Sequence, residues 1–343
     1  MACNNVQSIS AGQSYSLVVL KDGRVTGWGN DTYDLNLALG GNSLTGAIDV
    51  SAGITHSLAL LNNGKVTGWG SNSYGQTTNG NNLTGVIAIS VGYEYSLALL
   101  NNGKVTGWGN NGYGGALGGN GLTGVSGISA ASAHALAVLR DGRVTGWGYN
   151  NDGEINIPVG IGTGAVAVEA SYNHSLAILK DGSVTGWGWD GDGAGITTIP
   201  VGIGTGAVAV SAFGDYSIAL LRDGRVTGWG INNDGVINIP VGIGTGAVAV
   251  SAGIDHVIAL LKDGTITGWG NNGRGQTTIP VGIDCTSSSS YSSTLSFKYF
   301  EFNDISGHGL PSFITGLNYK LPTSANDRFF IDLNAIVSGF YNR

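Results

Sequence analysis

Four of the five histidines fall in one recurring frame, at His56, His134, His174 and His256. Histidine shuttles protons near neutral pH and ligates metals, so four in register invite a catalytic or metal-binding reading. The frame argues otherwise. Its other copies hold Tyr15, Tyr95 and Tyr216. Tyrosine shares with histidine an apolar body and a polar tip. A column that takes either fits a repeated buried hydrogen bond at the start of a strand. Metal ligands must converge, whereas equivalent positions of successive repeats lie apart. No metal site is expected.

The loop "GIGTG" begins at Gly160, Gly202 and Gly242. Glycine-rich loops can cradle phosphate, but only where a helix N-terminus follows to receive it. Each copy here precedes a strand-like run, so the loop reads as a turn between repeats. No nucleophile, base and orienting group stand together. The aspartates of the turns recur as turn residues. No catalytic residue and no cofactor is expected, and the chain reads as a non-enzyme.

Positions where the repeats disagree are those that the fold does not dictate. They hold aromatics and acids over a Gly/Asn background: Tyr33, Tyr74, Tyr93, Glu94, Tyr113, Tyr149, Tyr172, Trp189, Phe213 and Asp215. Tyr and Trp are the usual anchors of binding surfaces, so these variable loops are the candidate partner-binding set.

Repeated short strands must position them. "KVTGWGN" (Lys104 to Asn110) is one copy of a motif whose tryptophans are Trp28, Trp69, Trp108, Trp147, Trp187, Trp229 and Trp269. Seven repeats of about 40 residues, a period typical of propeller blades, cover the chain to residue 285. Each has an alternating run such as "AVAVSAG", a loop, a run such as "HSLALL", an Asx-Gly turn and "VTGWG". Asx-Gly between apolar runs is a strong hairpin signal, because type I′ turns need positive φ. The unit is three or four short strands, and the expected fold is an all-β, seven-bladed propeller spanning 1–285. One Trp per blade fills the wedge between neighbours, and its flanking glycines allow close backbone approach. Burying ~200 Å² per indole at ~25 cal/mol/Å² is worth roughly 5 kcal/mol before entropy.

Residues 286–294 form a Ser/Thr linker. Residues 295–343 carry seven of the eight phenylalanines and no WG motif. Some 50 residues make a marginal core alone, so this segment is expected to anchor or oligomerise. The net charge of −7, all of it in the repeats, argues against a nucleic-acid binder and for a partner that is basic at its contact surface. No apolar run is long enough to span a membrane, and no Sec-type signal peptide opens the chain.

The run G-x-x-H-S-L-A-L, then x-D-G-x-V-T-G-W-G, then "GQTTIP" (Gly275 to Pro280) resembles the regulator-of-chromosome-condensation repeat family. The short repeat is similar to its bacterial members, such as the β-lactamase inhibitory protein II. The resemblance covers about 280 residues and implies a rigid ring that presents loops. Three functions compete. One is a structural or receptor-binding propeller displayed on a virus or phage particle or a cell surface, with the C-terminal segment as anchor. The second is a soluble enzyme inhibitor, and the third an exchange-factor-like regulator, which the acidity disfavours.

Cys3 and Cys285, the only cysteines, occupy the two ends of the repeat array. If the last repeat meets the first, one disulfide would close the circle. Two unrelated free thiols are the alternative. A disulfide implies an extracellular or particle-surface location.

Overall fold

The computed structural model describes residues 5–30, 37 and 40–283. These form seven three-stranded antiparallel sheets, each in the order inner, middle, outer. The inner strands are Val6–Ala11, Ala47–Ala52, Val86–Val91, Val125–Ala130, Ala165–Ala170, Ala207–Phe213 and Ala247–Ala252. The middle strands are Tyr15–Leu20, His56–Leu61, Tyr95–Leu100, His134–Leu139, His174–Leu179, Tyr216–Leu221 and His256–Leu261. The outer strands are Val25–Gly29, Val66–Gly70, Val105–Gly109, Val144–Gly148, Val184–Gly188, Val226–Gly230 and Ile266–Gly270. The protein is a seven-bladed propeller.

Each blade has three strands. The stretch that could have supplied a fourth, such as "GQTTIP", turns on itself and carries proline, which cannot donate to a ladder. Three single 3-10 turns, Val159–Ile161, Val201–Ile203 and Val241–Ile243, precede the inner strands of blades 5 to 7.

The middle strands are buried on both faces, which is why "HSLALL" lacks the alternation of a half-exposed strand. Every inner strand carries a bulge after its first residue, as between Val6 and Ser8. Bulges bend and twist a strand, as a blade packed radially requires.

The core is seven clusters, each lying between two blades and each holding one tryptophan of the WG motif. Each indole Nε1–H donates to a carbonyl of the preceding blade. Trp108 meets Gln76 at 2.8 Å, Trp147 meets Gly115 at 2.8 Å, and Trp229 meets Ile196 at 2.9 Å. The ring closes in the same way. Trp28 of blade 1 donates to Gln276 at 2.9 Å and packs with Val248, Ile258 and Leu260 of blade 7. Val6 and Ile283, near the two ends of the described chain, share that cluster.

The inner strands line a central channel. A serine near the end of an inner strand accepts a hydrogen bond from a backbone N–H of the next. Ala52 donates to Ser10, Val91 to Ser51, Ala130 to Ser90, Ala170 to Ser129, Ala252 to Ser211 and, across the seam, Ala11 to Ser251. Blade 5 has Glu169 in place of serine, and its carboxylate accepts from Ala212 at 3.4 Å.

Candidate functional site

Hairpin register decides where the variable residues go. The first residue of each middle strand pairs with the last glycine of its outer strand, as Tyr95 does with Gly109. The loop entering the middle strand and the loop leaving the WG motif therefore emerge at the same mouth of the ring. A backbone bond ties them: Asn110 N donates to Glu94 O, Tyr149 N to Ala133 O, and Trp189 N to Asn173 O. The two sets of variable positions, far apart in sequence, make one surface.

On that loop face Tyr74, Tyr93, Tyr113 and Tyr172 are 50%, 37%, 67% and 47% exposed. Tyr149, Trp189, Phe213, Glu94 and Asp215 are half-buried there. Tyr113 of blade 3 and Tyr149 of blade 4 meet edge to face, with centroids 5.5 Å apart at 83°. Burial raises the Asp215 carboxyl above the ordinary carboxylate range. The aromatics run as a crescent over blades 2 to 6. Across the seam, at blades 7 and 1, a shallow depression is polar and is lined by Asn30, Asp255, Asn271, Arg274 and Gln276. Tyr33, Cys3, Cys285 and the segments 286–294 and 295–343 lie outside the described residues.

The loops are braced from within. The second residue after the WG motif is Asn or Asp in every repeat, and in blades 2 to 7 its side chain closes the loop beneath it. Asn72 Oδ1 accepts from Thr77 N at 3.0 Å, Asn150 from Ile155 N at 3.0 Å, and Asp190 from Thr197 N at 2.8 Å. A closed loop holds its tyrosine ready for contact, which lowers the entropic cost of binding.

The histidine column is turned inward. His56 Nε2 lies 2.8 Å from Ser96 Oγ, His134 2.9 Å from Ser175 Oγ, His174 2.8 Å from Ser217 Oγ, and His256 3.0 Å from Ser16 Oγ. Each pair spans two blades. Burial lowers the pKa of His56 and of His134 to about 3 and that of His174 to about 4, so these imidazoles are neutral. The tyrosines of the column reach across as well: Tyr95 donates to His134 O at 2.6 Å and Tyr216 to His256 O at 2.7 Å.

At the seam Asp255 stands 3.5 Å from His256 Nδ1, which completes the cast of a Ser-His-Asp set with Ser16. Its geometry is structural. Ser16 and His256 are fully buried, and the serine hydroxyl also engages the Gln276 carbonyl at 3.0 Å. A nucleophile must reach a substrate carbonyl.

The channel serines escaped the sequence reading, although "SIS", "DVS" and "AVS" recur in register with them. The polar depression escaped it too, because it is assembled from the first and last blades.

The sequence matches the regulator of chromosome condensation (RCC1) repeat over residues 6–34, 47–76, 86–114, 125–154, 165–194 and 247–276. Blade 6 is not among the matches, yet its three strands are formed like the others, its inner strand running one residue further to Phe213. No curated protein sequence matches the chain at a significant level. Among solved structures, human WBSCR16 aligns with a TM-score of 0.59 at 20% identity, over 76% of this chain and 88% of that one. The CRINKLY WD40 ectodomain of the Arabidopsis thaliana receptor kinase ACR4 aligns with a TM-score of 0.59 at 19% identity, over 78% and 97%. The ectodomain of the Physcomitrella patens receptor kinase CR4 gives 0.58 at 19%, over 82% and 77%. At such identities the likeness is one of fold.

Proposed function

The chain belongs to the regulator of chromosome condensation (RCC1) repeat family, and we propose that it is a non-enzymatic propeller that binds a protein partner through its loop face. One observation carries this reading. Four exposed tyrosines, Tyr74 and Tyr113 of them on internally braced loops, stand at one mouth of a ring whose other large side chains are mostly turned into blade junctions. Rigid, amphipathic aromatics of this kind are what protein interfaces use as anchors. The histidine–serine pairs, the residues best suited to chemistry, are spent on joining blades.

In this reading the ring is held on a larger assembly, a virus or phage particle or a cell surface, by residues 295–343 behind the 286–294 linker. The seven phenylalanines of that segment support an anchoring role. Two variants test the two halves separately. The triple variant Y93A/Y172A/W189A should weaken binding to the partner purified with the native chain at least tenfold, with melting nearly unchanged. A chain ending at residue 285 should remain a folded ring and lose its place in the assembly. A large melting drop with intact binding in the first case would defeat the recognition face. Unaltered assembly in the second would defeat the anchor.

A further inference from the structure

The two mouths of the ring differ in charge as sharply as they differ in shape. Ten basic residues belong to the hairpin turns between middle and outer strands, with five turn aspartates among them, a net of +5. On the loop face, among the described residues, eight acids, of which Glu154 is buried, stand against the single cation Arg274, a net of −7. Even on the turn side the charge is partly spent internally: Arg24 pairs with Asp22 at 2.7 Å, and Arg225 with Asp223 at 2.6 Å. Arg274 lies on blade 7, outside the aromatic crescent. Blades 2 to 6 thus present tyrosines and carboxylates with no cation between them.

Resting on the recognition role of the loop face, we propose that its partner is a cationic protein surface, whose Lys and Arg side chains seat among Tyr93, Glu94, Tyr113, Tyr149, Asp152 and Tyr172. Three features of the crescent fit that class. Tyrosine faces attract guanidinium and ammonium groups, and the edge-to-face pair of Tyr113 and Tyr149 holds two rings in fixed relation at the surface. Carboxylates beside them supply charge-assisted hydrogen bonds: Glu94 is fixed by Asn110 Nδ2 at 2.6 Å, and Asp152 stands exposed. The remaining loop surface is mainly uncharged, rich in Asn and Gly with some Ser and Thr, and repels no cation. The opposite charge of the two mouths adds direction. A basic partner is drawn to the loop face and repelled from the turns, so encounter is steered to the productive side.

Full-length chain titrated with a hexa-arginine peptide, a hexa-glutamate peptide and an uncharged Ser/Gly hexapeptide tests this, read by tyrosine and tryptophan fluorescence and by calorimetry. Hexa-arginine should bind, its affinity falling at least tenfold between 25 and 300 mM salt, and the other two should not. The variants Y113A/Y149A and E94Q/D152N should each weaken it at least fivefold, while R24Q/R225Q on the turn face leaves it unchanged. Equal binding of all three peptides, salt-independent binding, or binding indifferent to the crescent variants would overturn the cationic class. Loss of native-partner binding in Y93A/Y172A/W189A alongside a failed hexa-arginine titration would keep the recognition face and refute only its charge.

Discussion

A tryptophan between two glycines does two things at once at each blade junction. Its ring fills the wedge, and its N–H satisfies a carbonyl of the neighbouring blade. Replacing Trp108 with Ala should cost about 3–5 kcal/mol of unfolding free energy, the usual range for emptying an aromatic core site. Trp108→Phe should cost about 1–2 kcal/mol, because the Gln76 carbonyl keeps its second donor, Ser96 Oγ at 2.9 Å. Denaturant titration separates the two. The histidines set a pH limit. His56, His134 and His174 are held neutral by burial, with folded pKa values far below an unfolded value near 6.5. The unfolded chain therefore binds protons that the ring refuses. The stability they contribute is complete above about pH 6.5 and is lost as the pH falls towards 4, by about 1.4 kcal/mol per histidine per pH unit. Melting temperature should drop across that window. Exchanging the three for tyrosine, the residue that blades 1, 3 and 6 use, should flatten the drop, and an unchanged slope would count against this account.

At the scale of the element, the motif's first glycine is as constrained as its tryptophan. A methyl group on Gly107 would run into the Ala116 carbonyl, whereas one on Gly121 would meet open space. Gly107→Ala should destabilise by about 2 kcal/mol or more, and Gly121→Ala should change little; thermal melts of the pair decide it. Much of this was legible in the sequence, since Asx-Gly turns, the WG column and its period fix hairpins, blade number and junctions. Placement of Glu94 beside Asn110 followed once the hairpin register was known. The number of strands per blade did not follow, because "GQTTIP" has polar and apolar residues enough for a strand but closes on itself through Asn272, as the matching stretch of blade 2 does through Asn72. Nor did the polar depression or the channel serines, whose partners lie a whole repeat away.

The whole molecule is a ring in which blade 7 packs on blade 1 through a tryptophan, a channel serine and a histidine–serine contact, the kinds of contact that join the other blades, where tyrosine at some junctions and Glu169 at one stand in. Val6 and Ile283 share one cluster, and Cys3 and Cys285 lie just beyond them in sequence. A disulfide between the two would enclose nearly the whole ring and stabilise by about 5 kcal/mol in the chain-entropy picture. Intact mass should then rise by two hydrogens on reduction, and Cys285→Ser should melt lower; two free thiols in natively isolated protein would end the idea. With or without that bond, a closed circle of equivalent junctions has no privileged starting blade. Covalent order around it is arbitrary. A gene rearranged to begin at Asn82 and end at Asn81, with a short bridge joining residues 5 and 283, encodes the same seven junctions and should yield the same ring. Seen in this way, the seam between residues 283 and 5 is one break chosen from seven equivalent ones.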